Sequence, residues 1–382
     1  MKHSPAFERR GIVEGFFGPP WSQRHRTKIF EFGAARGMNT YLYAPKDDPY
    51  HREKWRRPYP PPRWQEMEHL IRCAQRFNID FVYGFHPGKG LVFSSAKPTR
   101  ILLAKAQRFY DTGVRTFAVL FDDIPSRLTR EKDRKRFAGS LARAEGTWLA
   151  EIIARQPASW KDVDWWICPS YYSEDPLLAR AFGRFENQFL ERFSETLPAT
   201  AAFLWTGPKI VSETITADHV RRIRSRIDRR LILWDNYPVN DLSMRNDMNL
   251  GPLGGRDPNL LDVAYGYLNN PLLQETLSFV PLGTCFDYAA RPGDYDPERS
   301  WRRTIVERYG SASLPYWRAI RKFCEQEIHA RKKKIVAHVT ASDAASFRAA
   351  VDYVRKHRRT PWACELEPWM RRLQNRLTAD NP

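Results

Sequence analysis

The chain has 382 residues, 42% of them hydrophobic and 13% aromatic, enough for a large packed core, and its 62 lysines and arginines exceed its 44 acidic residues for a net charge of +18. No apolar run approaches the roughly 18 residues of a membrane span, and the opening MKHSPAFERRG lacks the apolar stretch of a secretory signal, so a cytoplasmic protein without a membrane partner is expected. The five cysteines, Cys73, Cys168, Cys285, Cys324 and Cys364, are scattered and form no CxxC pair, which argues against a disulfide framework and a zinc site.

Along the chain one alternation repeats: a short apolar run, a polar turn, then a helix-length amphipathic segment. The runs are Gly11–Phe16, Asn39–Ala44, Ile79–Phe85, Val114–Phe121, Val163–Cys168, Ala201–Trp205, Arg230–Trp234 and Leu261–Tyr265. Nearly continuous apolar character marks parallel strands covered on both faces. Between them helices are predicted over 22–36, with Ser22 as N-cap, and over 62–77, 97–110, 130–156, 174–195 and 215–228, whereas 242–260 reads as irregular. The stretch RPYPPPRW at 57–64 reads as a stiff, extended entry to the second helix. Eight such units predict an α/β fold, a (β/α)8 TIM barrel over 1–295, for which about 250 residues is typical. After that, apolar residues recur at helical spacing (Ile320, Phe323, Cys324; Phe347, Val351, Val354; Trp362, Leu366, Leu373), predicting a small α-helical region over 296–382 packed on the barrel. Pro315 and Pro361 suit helix starts, and Pro368 is positioned to kink the last helix.

The basic residues are spread. The cluster Arg221, Arg222, Arg224, Arg226, Arg229 and Arg230 stands opposite Val220, Ile223 and Ile227, as on a solvated helix face, and the runs at 331–334 and 355–359 are short. Without zinc-finger spacing or an aromatic-rich RNA motif, nucleic acid is not favoured as a partner.

Barrels of this kind carry their active sites at the C-terminal ends of the strands. That rule draws attention to Glu14, Gly15 and Phe17 after the first strand, Lys46, Asp47 and Asp48 after the second, and GFHPG after the third. Asp122 and Asp123 follow the fourth, CPSYY the fifth, WTGP the sixth, WDNYPVND the seventh and YGYLNNP the eighth. Aromatic rings beside amides and carboxylates are the composition of a sugar pocket. Adjacent carboxylates on a regular strand point in opposite directions, so Asp122 and Asp123 serve one pocket only where the strand ends or kinks, and Pro125 marks such a place. Such a pair suits substrate assistance: one carboxylate stays ionised to hold a 2-acetamido group whose oxygen attacks the anomeric carbon, and the other supplies the proton. The dipeptide alone also fits an N-cap and turn.

GIVEGFFGPPW, NTYLYAPKDDPYHREKWR, VLFDDI, CPSYY, LWTGPKIVS, ILWDNYPVND and LGPLGGR, in this order over about residues 11–295, resemble the catalytic domain of the O-GlcNAcase family, glycoside hydrolase family 84, and DYDPERSW at 294–301 is similar to its junction with a helical segment. The resemblance implies a retaining β-N-acetylglucosaminidase that works through an oxazoline, without metal or other cofactor, on a glycan or glycoprotein bearing N-acetylglucosamine. It implies that Asp122 orients and polarises the acetamido group, that Asp123 is general acid and then base, and that Tyr172 bonds near the acetamido oxygen. Gly15 would approach the sugar through its backbone, Lys46 would contact a ring hydroxyl, Trp234 would form an aromatic wall, Asn236 would assist the acetamido end, and Asp241 with Asn270 would bind outer hydroxyls. His86 is read as structural. Phe17 stands where the family commonly has tyrosine, and Arg143 and Glu145 stand where it often has histidine and glutamine. The N-terminal domain of many bacterial relatives and the acetyltransferase-like domain of animal members are not in this sequence. Two alternatives remain at this level: a hexosaminidase preferring acidic glycosaminoglycan fragments, suggested by the charge, and a glycan-binding barrel without activity.

Overall fold

In the computed structural model, which describes residues 6–88, 90–333 and 341–379, eight parallel strands close into a barrel in sequence order, β1 pairing with β8. They are β1 (Arg9–Glu14), β2 (Thr40–Tyr43), β3 (Asp80–Phe85), β4 (Thr116–Leu120), β5 (Asp164–Cys168), β6 (Ala202–Trp205), β7 (Arg230–Asp235) and β8 (Gly266–Asn269). Every residue of β2, β4, β6 and β8 is buried, which is why these segments read as continuous rather than alternating apolar runs. The first five residues and Lys334, the last of the basic run at 331–334, lie outside the described residues.

The outer helices are α1 (Gln23–Ala34), α2 (Pro61–Arg76), α3 (Ala96–Asp111), α4 (Glu131–Arg136), α5 (Leu141–Arg155), α6 (Pro176–Phe182), α7 (Phe189–Thr196), α8 (Ala217–Arg226) and α9 (Phe279–Ala290). Ser22 caps α1, its side chain accepting from the His25 amide as the pattern required, and Pro61 opens α2 after the extended Pro60. Two sequence expectations are corrected. The segments 130–156 and 174–195 each hold two helices rather than one: Ser140 caps a fresh helix after Gly139, and Gly183 adopts a φ of 96°, which ends α6. The eighth strand is Gly266–Asn269, while the apolar Leu261 belongs to a 3-10 turn over Pro258–Asp262. A further helix, α9, has no predicted counterpart, because ten of its twelve residues are buried and no polar face sets a helical rhythm.

The chain continues through α10 (Pro297–Tyr309), α11 (Leu314–Lys333), α12 (Ala341–Lys356) and α13 (Pro361–Ala379). Trp301, Trp317, Phe323, Phe347, Leu366 and Trp369 of these helices form a second apolar cluster together with Met248, Leu250, Leu272, Leu277 and Val280 from the barrel side. Glu365 tightens that seam by accepting from the amides of Thr276 and Leu277. Among the described residues no helix is long and apolar enough to cross a membrane.

Candidate active site

Strand ends and the loops beyond them surround a cleft of about 750 Å³, within the usual range for small-molecule pockets. All nine residues singled out from the sequence line it: Gly15, Lys46, Asp122, Asp123, Tyr172, Trp234, Asn236, Asp241 and Asn270. Three residues beyond the end of β4, Asp123 takes a φ of 61°. The left-handed conformation, accessible to aspartate at modest cost, breaks the alternation of side chains and turns both carboxylates to one cleft. The kink expected at Pro125 is therefore made at Asp123 itself.

Lys46 donates to Asp122 Oδ2, and its ammonium also lies 5.6 Å from the centre of the Trp234 ring. The other oxygen, Oδ1, is buried and has no hydrogen-bond partner. Burial opposes the charge on Asp122, but Lys46 overrides it and holds the carboxyl below the ordinary aspartate range. Asp123 is pushed the other way, first by burial and then by the charge of Asp122, while the Tyr172 hydroxyl donates to its Oδ1 at 2.9 Å. At neutral pH the arrangement thus separates two adjacent carboxyls into a firmly ionised one and one with raised proton affinity.

The opposite wall is an amide network. Trp234 Nε1 and Asn270 Nδ2 both donate to Asn236 Oδ1, at 3.0 and 2.9 Å, and Asn236 Nδ2 donates to the Ile210 carbonyl at 2.8 Å. Asn270 Oδ1 accepts from the Gly15 amide at 3.2 Å, and Asp241 Oδ2 accepts from the Phe17 amide at 2.8 Å. A β-carbon on Gly15 would sit 2.3 Å from the Trp234 ring, so only glycine lets this backbone pass the indole. The mouth is different in kind. Three of the four most exposed large apolar side chains among the described residues, Leu177, Val211 and Leu242, line it, with Arg180, Lys209, Arg331 and Lys332.

Other strand-end residues are engaged elsewhere. Glu14 is buried and paired with Arg26, Asp48 accepts from the hydroxyls of Tyr43 and Tyr59, and Asp235 is paired with Arg256. His86 belongs to the site's frame more closely than a generic core histidine: its Nε2 donates to the Asp122 carbonyl at 2.8 Å. Burial, then the Lys46 charge, drops its pKa to about 4, so the ring is neutral with the proton on Nε2. Its position at the mouth of β3, beside β4, was the available signal. Among the described residues no cluster of three or more histidine, cysteine or acidic side chains is arranged to hold a metal.

Residues 10–325 match the family model described as beta-N-acetylglucosaminidase. Over 276 residues, 72% of this chain, the sequence is 32% identical to the protein O-GlcNAcases of Mus musculus and of Rattus norvegicus, of whose length the match spans 29%. A solved structure of a Thermobaculum terrenum O-GlcNAc hydrolase mutant superposes with a TM-score of 0.84 at 30% identity, covering 96% of this chain and 82% of that one. With its barrel and strand-end cleft, the chain belongs to the β-N-acetylglucosaminidase family, glycoside hydrolase family 84.

Proposed function

We propose that the protein removes terminal β-linked N-acetylglucosamine with retention, using the substrate's own acetamido group as nucleophile. The observation that carries this reading is the buried, unpartnered Oδ1 of Asp122 beside a carboxyl of raised pKa. An ionised oxygen without a donor calls for an N–H, and the 2-acetamido N–H supplies one. As that bond tightens, the acetamido oxygen becomes more nucleophilic and attacks C1, forming the C1–O bond of an oxazoline that keeps its N–H, as the oxazolinium ion, against the ionised Asp122. The glycosidic C1–O bond breaks, and the proton of Asp123 passes to the departing oxygen. Asp123, now a carboxylate, takes a proton from the water that opens the oxazoline, which restores both groups and returns the β configuration.

Lys46 keeps Asp122 ionised, and Tyr172 aims Asp123. The Trp234 face receives the apolar side of the sugar, Asn236 supports the acetamido end, and Asp241 and Asn270 receive hydroxyls. Gly15 leaves room for the ring. Apolar and basic groups at the mouth support an aglycone of polypeptide kind, in a cytoplasmic setting. The same four cations favour, as a second reading, an acidic glycan aglycone, although Arg331 and Lys332 are already paired with Asp247 and Glu213.

The test is hydrolysis of an aryl β-N-acetylglucosaminide and of its trifluoroacetamido counterpart. A steep rate loss with fluorination is expected because the nucleophile is weakened, and equal rates would refute substrate assistance. Strong salt inhibition on acidic glycan fragments, absent on neutral glycopeptides, would favour the second reading.

A further inference from the structure

The mechanism leaves one buried acid unused. Glu145, on α5, is fully buried, and its Oε2 accepts from the Ser170 amide at 3.1 Å. Its Oε1 has no partner, nor has the buried hydroxyl of Ser170 beside it. Among the described residues no lysine, arginine or histidine pairs with it. Of the segments packed around it, the one between α6 and α7 presents Glu186, and the end of β5 presents the Cys168 thiol, which feels Glu145 and both site aspartates. Arg192, on α7, pairs with Glu186 instead.

A carboxylate with one amide donor, acidic neighbours and no cation is poorly tolerated in a protein interior. A carboxylic acid is not: a proton on Oε1 lets the acid O–H donate to Ser170 Oγ, so that one proton satisfies both orphaned oxygens. Burial accordingly pushes Glu145 up to about 8, against the smaller pull of the Ser170 hydroxyl and amide beside it. Two residues beyond Ser170 stands Tyr172, whose hydroxyl holds Asp123.

The geometry points to Glu145 as a positioning residue: as a neutral acid it pins Ser170 and thereby the Tyr172 hydroxyl against Asp123, and its ionisation releases that segment. This rests on the reading of Asp123 as the proton donor. It gives the enzyme an alkaline limit set by a group that never meets the substrate.

The experiment compares wild type, Glu145→Gln and Glu145→Ala by pH–rate profile on an aryl β-N-acetylglucosaminide and by hydrogen exchange of peptides spanning 168–173, corrected for intrinsic rates, at pH 6.5 and 9. Glutamine keeps a donor and an acceptor without a titratable proton. Between pH 7 and 9 the wild type should therefore lose up to about ten-fold more kcat than Glu145→Gln, the loss expected for a group titrating near 8. Glu145→Ala should lower kcat at pH 6.5 with little change in KM, and glutamine should rescue it. At pH 9 the 168–173 amides should exchange faster in wild type than in Glu145→Gln. Superimposable profiles and equal exchange at pH 9 would overturn the inference. Exchange that differs as expected in a protein without glycosidase activity would retain the Glu145 proton and reject the proposed function.

Discussion

Two kinds of buried carboxylate stand at the strand ends. Glu14 accepts from Arg26 through Nη2 and Nε at 2.6 and 2.9 Å, from the Trp21 amide and from the Tyr41 hydroxyl, and Asp235 is bound by Arg256 at 2.7 and 2.8 Å and by Tyr267. Both of their oxygens are occupied. Asp122 has a cation on one oxygen and no hydrogen-bond donor on the other, the neutral His86 ring standing 3.8 Å away. Forked guanidinium pairing fixes a carboxylate for good, whereas a single ammonium neutralises charge and leaves a lone pair to offer. The difference between scaffold and proposed site therefore lies in how completely the partners saturate the oxygens, not in burial or charge.

Substitutions break this comparison at either side. The largest effect is expected from Asp123→Asn, with asparagine chosen because it tolerates the φ of 61° where alanine adds strain. Loss of general acid catalysis should cut kcat/KM by about 10²–10⁴-fold on substrates with poor leaving groups and far less on activated aryl glycosides. Equal losses on both would remove Asp123 from the acid role. On the scaffold side, Arg26→Met leaves Glu14 buried and unpaired and should cost about 3–5 kcal/mol in urea unfolding. A near-wild-type midpoint would erase the distinction between the two classes.

Gly15→Ala drives a methyl group into Trp234 and should lower kcat/KM by about a hundred-fold through misplacement of the wall, with a smaller change in stability. Unaltered kinetics would show that the wall yields. The pH dependence of stability then sharpens the contrast. Asp122, depressed by Lys46, contributes stability that is present above the ordinary aspartate pKa of about 4 and lost as pH falls through its depressed value. Asp123, raised, contributes in the opposite sense, its stability being lost as pH rises through the raised value. Lys46→Met should flatten or invert the rise in urea midpoint between pH 2.5 and 5, and a wild-type rise would dismiss Lys46 as the counter-charge. The smallest effect belongs to the solvent-exposed pair Lys135–Glu131, where Lys135→Ala should cost no more than about 0.5 kcal/mol.

Much of this was legible in the amino acids. Eight apolar runs at barrel spacing and the strand-end rule led to Asp122 and Asp123 before any geometry. What was not legible has physical causes. Glu14, Asp48 and Asp235 stand at the same strand ends and are chemically equivalent on paper, because sequence does not display the arginines and tyrosines that saturate them. His86 read as a core residue since its role runs through a main-chain carbonyl, which has no sequence signature. The eighth strand was placed too early because Leu261 and Tyr265 flank it with apolar character of their own, and α9 lacked a polar face. Glu145 departs from the family pattern in the sequence, and only its surroundings show a buried carboxyl with one orphaned oxygen.

One further consequence concerns α11. Its end brings Arg331 and Lys332 to the mouth of a cleft whose floor is made entirely by the barrel, and ties them back to Asp247 and Glu213. Under the proposed function, part of the rim that would face the aglycone thus comes from a stretch of chain remote from the reacting groups, beside the barrel's own Leu177, Arg180, Lys209, Val211 and Leu242. Exchanging the helical segment, or only its last turn, offers a route to new selectivity with the reacting groups untouched, so that breeding variants for a particular glycoconjugate becomes a problem of redecorating a doorway.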